Sequence, residues 1–173
     1  PDVAVDIQMG SVQEVYRWVR EDKVDMCFAS HQEGGNFDWI HLRNDPLLAI
    51  LPPGYDLRGC SSLPVSRLEG LDFLMPSLGF HLDIMRALGD VKPNIQQTHV
   101  NDSVIISMVE HGLGVSILSE LVLRGRRDNV VAVPLDPPAV RELGIAVRSK
   151  KELRPIARRF ITETKEILEN IPL

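Results

Sequence analysis

At 173 residues, with 44% hydrophobic and 25% charged residues, the chain is long enough to bury a sizeable core and too apolar to stay disordered. A net charge of -5 and only 5% aromatic residues exclude the basic stripe and stacking platforms that hold phosphate backbones, so the chain by itself is not expected to bind DNA. No apolar run approaches the roughly 20 residues needed to span a bilayer and no basic-then-apolar segment opens the chain, so a soluble, cytoplasmic protein with no membrane partner is expected.

The chain opens on Pro1-Asp2 and runs at once into the alternation Val3, Val5, Ile7, a strand signal with neither leader nor cap, as in an excised fragment. Gly10-Ser11 then begins a helix whose apolar positions Val12, Val15, Tyr16 and Val19 follow helical spacing, and Ser11 with Glu14 forms a capping box. Val24 to Ala29 is too short for a helix, so strand, helix and strand read as one parallel crossover unit. From Trp39 to Leu51 the pattern is extended and closes on the breaker Pro52-Pro53-Gly54.

A second block follows: a strand over Asp72 to Met75, a helix near Phe80 to Leu88, a strand over Ile95 to Thr98, a helix over Asp102 to His111 and a strand over Val115 to Leu118. Gly89 and Gly112 sit as helix stops. Beyond Gly125 the chain is extended from Val130 to Leu135, breaks at Pro137-Pro138, is extended again from Leu143 to Val147, and ends in a helix opened by Pro155. That helix is expected to turn Ile156, Phe160, Ile167 and Leu168 to the core, or to give a share of this face to a dimer.

The first block, of about fifty residues, is too small to bury its own sheet, so the last strand and helix are expected to return to it. The fold class is therefore α/β with two lobes, each a mostly parallel sheet flanked by helices and linked by two extended crossovers. Lobe I takes 1–52 and 135–173, and lobe II takes 53–134. A cleft lined by strand carboxyl ends and helix amino ends would lie between them.

The segment Thr98 to Glu120, THVNDSVIISMVEHGLGVSILSE, resembles the signature of LysR-type transcriptional regulators: a polar helix start, an apolar helix, a Gly-Leu-Gly turn and an apolar strand, with Ser119 where proline is usual. Asp25 in KVDMCFAS, the connection Asp45 to Pro52 (DPLLAILP), Leu68 to Leu71 and the return segment Val131 to Val147 (VAVPLDPPAVRELGIAV), with its arginine, fall in the family's order. The resemblance covers nearly the whole chain. It implies a type II periplasmic-binding-protein-like fold, a small effector in the cleft, self-association as a dimer or tetramer, and DNA binding only through a winged helix upstream. It also implies a further strand and helix ahead of Pro1, whose first turn usually gives hydroxyls to the ligand.

Candidate ligand contacts in lobe I carry two readings each. Gly10-Ser11 at a helix amino end offers N–H groups and a hydroxyl to a carboxylate, or simply caps the helix. Ser30 follows a strand where the family often places a polar contact, or is an ordinary loop serine. Ser77 and Gly79 precede the first helix of lobe II and can face the same ligand, while Thr98 and His99 end a strand with a hydroxyl and an imidazole. Asn101 and Asp102 serve as cap and turn.

Gly112-Leu113-Gly114 follows a helix and precedes a strand, the reverse of a dinucleotide-binding loop. The histidines at 31, 41, 81, 99 and 111 form no local metal-binding pair, no cofactor is called for, and no Gly-x-Ser-x-Gly elbow is present. Cys27 and Cys60 lack zinc-type spacing and read as buried free thiols. The basic run from Arg148 to Arg159, balanced by Glu152, Glu163, Glu166 and Glu169, reads as a solvated face. The expected function is ligand sensing for a LysR-type regulator through a small, anionic metabolite, with no enzymatic activity. A solute-binding protein of a transport system is the alternative on the same fold.

Overall fold

A computed structural model describes residues 3–32, 34–76, 81–125 and 129–171. It divides into two compact units: unit 1 is Pro1–Arg43 with Glu142–Leu173, and unit 2 is Asn44–Arg141. The lobe borders expected from the sequence fall at the end of one long strand and inside another, and both of those strands run from one unit into the other: β2 (Asp38–Leu51) and β7 (Val131–Val147).

Unit 1 is built from α1 (Val12–Arg20), β1 (Cys27–Ser30), the first part of β2, the last part of β7 and α5 (Pro155–Asn170). β1 pairs antiparallel with β7, Cys27 opposite Ala146 and Ser30 opposite Leu143. On one side Tyr16, Val19, Cys27 and Ala146 are buried together, and Ile40, Ile145, Val147 and Ile161 form a second cluster. The expected strand over Val3 to Ile7 is absent. These residues are exposed and unpaired among the described residues, and a strand with no ladder partner leaves its amides to water.

The last helix starts at Pro155 as expected, yet its buried face is rotated by about one residue. Ala157 and Ile161 are buried and Leu168 is half-buried, whereas Ile156, Phe160 and Ile167 are exposed. Phe160 meets the exposed Phe28 edge to face at 6.3 Å.

Unit 2 adds β3 (Leu63–Pro64), a 3-10 turn (Val65–Leu68), β4 (Asp72–Met75), α2 (His81–Leu88), β5 (Asn94–Gln97), α3 (Asp102–Glu110), β6 (Ser116–Ser119) and the short α4 (Glu120–Leu123). β4 and β5 pair in parallel, and β2 pairs antiparallel with β6. The strand expected to end on Thr98 ends one residue earlier, at Gln97. No break occurs at Pro137-Pro138: both prolines lie inside β7, between the part that pairs with β3 at Leu135 and Asp136 and the part that pairs with β1. Proline has no N–H to give a ladder, so it is tolerated in such a gap.

The Gly-Leu-Gly turn has a packing reason. Val115 bridges Phe73 in parallel, and backbone hydrogen bonds of 2.8 Å run from Val115 N to Asp72 O and from Leu74 N to Val115 O. At Gly114, with φ +156°, a Cβ would stand 2.7 Å from the Asp72 carbonyl oxygen, so the strand can approach β4 only with glycine there.

Candidate functional site

In unit 1, Ser11 is the N-cap of α1. Its Oγ accepts from Glu14 N at 3.4 Å and donates to Glu14 Oε2 at 2.8 Å, while Ser11 N donates to the same oxygen at 2.9 Å. These bonds, the backbone one first, hold the Glu14 carboxyl below the usual carboxylate range. The amino end of α1 is thus an anion seat filled by the helix's own carboxylate. Gly10, exposed beside it, has Trp18 against it: a Cβ would lie 2.7 Å from that ring.

Ser30 closes β1 and is buried. Tyr16 Oη donates to the Ser30 carbonyl at 3.0 Å, and burial, followed by the neighbouring Cys27, pushes this phenol up to about 12. Burial likewise pushes the Cys27 thiol up to about 11. The other cysteine, Cys60, is exposed rather than buried, because it lies on a loop outside either core.

Next along the chain, His31 N donates to Glu142 O at 2.9 Å, and the His31 ring stands 5.0 Å from the Trp39 ring. Trp39 Nε1–H is buried and, among the described residues, has no hydrogen-bond partner. Tyr16 thereby meets Ser30, while Trp39 and Glu142 meet the next residue, His31. Of these, the sequence reading marks Ser30 as a ligand contact and passes over the rest, since an unsatisfied donor exists only once the chain has packed. A separate open hollow of about 510 Å³ runs along α1, lined by Gln13, Tyr16, Arg17, Arg20, Gln32 and Phe37 among others, and reaches neither Ser11 nor Ser30.

In unit 2, Thr98 follows β5 and is half-buried, and its hydroxyl donates to the Met75 carbonyl at 2.8 Å. His99 beside it is exposed. Asn101 caps α3, its side chain accepting from Val104 N at 3.1 Å. Ser77 and Gly79 lie outside the described residues. No group of three His, Cys, Asp or Glu is placed to hold a metal, and no helix is long and apolar enough to cross a membrane, among the described residues.

One arrangement in unit 2 escapes the sequence reading altogether. Asp45 on β2 is fully buried and meets Arg141 on β7, with Nε donating to Oδ2 at 2.8 Å and Nη2 lying 2.7 Å from the same oxygen. Asp45 Oδ1 accepts from Leu121 N at 3.1 Å, and Arg141 Nη2 also donates to Ser119 Oγ at 3.0 Å. The hydroxyl of Ser119, at the position where the family usually has proline, is used here.

The family model described as "LysR substrate binding domain" matches residues 1–169. The chain belongs to the LysR substrate-binding domain family. Among curated proteins, this LysR domain is 28% identical to the uncharacterized HTH-type transcriptional regulator YvbU of Bacillus subtilis (strain 168), a match covering 96% of the chain and 58% of YvbU. The chain thus spans a little under three fifths of that regulator's length.

Among solved structures, the Synechocystis PCC6803 CcmR regulatory domain in complex with 2-PG superposes with a TM-score of 0.81 at 20% identity, covering 94% of this chain and 82% of that one. The effector-binding domain of QuiR in complex with shikimate gives 0.80 at 16% identity, covering 95% and 81%. At such identities the likeness establishes the fold: the LysR domain has the type II periplasmic-binding-protein-like architecture.

Proposed function

We propose that this chain is the ligand-sensing domain of a LysR-type transcriptional regulator and takes a small anionic metabolite. Units 1 and 2 correspond in this reading to the two lobes. The family match over residues 1–169 carries it. Ligand-bound neighbours add support, since CcmR was solved with 2-PG and QuiR with shikimate. YvbU is a transcriptional regulator, which favours this reading over a solute-binding protein of transport. DNA binding belongs to a part of the protein outside this chain, self-association to a dimer or tetramer transmits the signal, the location is cytoplasmic, and no turnover is assigned. A ligand shifts such a system only through different affinity for its states.

The candidate contacts are Gly10, Ser11 and Ser30 in unit 1 and Thr98 and His99 in unit 2, with Ser77 and Gly79. Their internal partners rank them. A ligand carboxylate at Ser11 has to displace Glu14, and one at Thr98 has to replace the Met75 carbonyl. Ser30 needs no such exchange at its hydroxyl, since its hydrogen bond with Tyr16 is made through the backbone carbonyl.

Thermal-shift measurements with shikimate, 2-PG and simple mono- and dicarboxylates test this. A saturating ligand should raise the melting temperature by about 5–10 °C. Ser30→Ala should abolish that gain, and Glu14→Gln should enlarge it if the α1 end is used. Absence of any shift across the panel refutes the anionic class, and a shift indifferent to both substitutions refutes the contacts.

A further inference from the structure

Unit 1 is discontinuous: its two halves, up to Arg43 and from Glu142, are separated by all of unit 2. Its sheet and cores are made across that gap. Every β1 partner comes from the second half, Cys27 packs on Ala146, and Ile40 packs with Ile145, Val147 and Ile161. If the insertion is open at its neck, joining the halves means closing a loop of about a hundred residues, with the entropy that this removes.

Asp45 and Arg141 sit at that neck, 96 positions apart in sequence, one being the second residue of unit 2 and the other its last. The bond between them is well made. The Asp45 side chain is 0% exposed and that of Arg141 13%, and both carboxylate oxygens are satisfied. In so dry a setting a two-pronged guanidinium contact is strong, and loss of either partner strands a buried charge. Ser119 and Leu121 tie the same pair to β6 and α4, inside unit 2.

We infer that the Asp45–Arg141 pair is a clasp that makes the folding of unit 1 conditional on unit 2. By reinforcing at the neck two strands that are already neighbours in one sheet, it holds the halves of unit 1 within reach, and opening the clasp loosens unit 1 ahead of the body of unit 2. This role is independent of any ligand.

Native-state hydrogen exchange on the intact chain tests it. In Arg141→Lys, which keeps the charge and loses the fork, amides of β1 and of 143–147 should exchange roughly tenfold faster, while those of β4 keep their protection. Unchanged protection in β1, or loss confined to β4, would overturn the inference. If both regions lose protection, the comparison is with Ile84→Val, a core change in unit 2 away from the neck, at matched melting temperature. A larger β1 loss in Arg141→Lys supports the clasp, and an equal one overturns it. Should Arg141→Lys fail to fold, Ser119→Ala opens only the Arg141–Ser119 bond and is read by the same criteria, with a smaller effect expected.

Discussion

Unit 2 and unit 1 bury their apolar residues very differently. In unit 2, Phe73, Leu74, Met75, Ile84, Ile105 and Leu118 are all 0% exposed, and helices, strands and turn residues close over two contiguous clusters. Unit 1 has two small clusters. Both units leave apolar residues exposed, unit 1 Val3, Val5, Ile7, Met9, Phe28 and Ile167 among others and unit 2 Leu82, Ile95, Val104, Leu113 and Val140 among others, so the difference lies in the size of the cores. Apolar burial is the main favourable term in folding, so the larger core of unit 2 is expected to make it the more self-sufficient body of the two. The two tryptophans, Trp18 and Trp39, both lie in unit 1, so tryptophan emission follows that unit while far-ultraviolet circular dichroism follows both.

The largest expected effect attacks the stronger body. Phe73→Ala leaves a void at the centre of unit 2 and should cost about 3–5 kcal/mol by circular dichroism. If unit 1 is the dependent partner, tryptophan emission should change at the same denaturant concentration, although both tryptophans are distant in the chain. An emission midpoint equal to that of the unaltered protein contradicts the dependence.

Alkaline pH acts on unit 1 through two buried groups, with an intermediate effect. Tyr16 and Cys27 both hold their protons more tightly when folded, up to about 12 and about 11, chiefly through burial. Raised values mean that their contribution is whole below the unfolded values and is lost as pH climbs through the folded ones. Stability of unit 1 should therefore fall between about pH 9 and 12, by on the order of 3–4 kcal/mol at pH 11. Cys27→Ala should flatten the lower part of that slope, and a slope unaltered by it removes the thiol from the account.

Ser11→Ala gives the smallest change. It takes away the cap of α1 and should cost about 1 kcal/mol in the emission-monitored transition. Glu14 would then titrate closer to an ordinary carboxylate, so the acid-side loss of stability that its lowered value produces should shrink. Equal acid profiles for the two proteins would show that the capping box is not its source.

Local chemistry made much of this fold legible. The Ser11–Glu14 box, α3 with its Asn101 cap, Pro155 and the stops at Gly89 and Gly112 all rest on bonds within a few residues, and such bonds leave spacing in the sequence. Long-range features left none. In the last helix two adjacent stripes are apolar, and spacing alone does not say that 157, 161 and 168 turn inward in preference to 156, 160 and 167. The alternation of Val3, Val5 and Ile7 signals a strand, but a strand also needs a neighbour. The Asp45–Arg141 pair joins residues 96 apart, which no motif connects.

Among the candidate contacts, residue type was readable but occupancy was not. Hydroxyls at a helix amino end or a strand end are equally suited to a ligand and to a nearby backbone or carboxylate group. Ser11 and Thr98 have taken the local option, through Glu14 and Met75.

The pairing of β1 with β7 also sets a timetable for synthesis. Cys27 to Ser30 leave the ribosome more than a hundred residues ahead of Leu143 to Ala146, their register partners. At about 5–20 residues per second, this apolar strand waits on the order of ten seconds with an open edge, while unit 2 is made and folds in the interval. Completion of unit 1 therefore waits for the last part of β7, and until then the nascent Met26-Cys27-Phe28-Ala29 segment stays open to a chaperone.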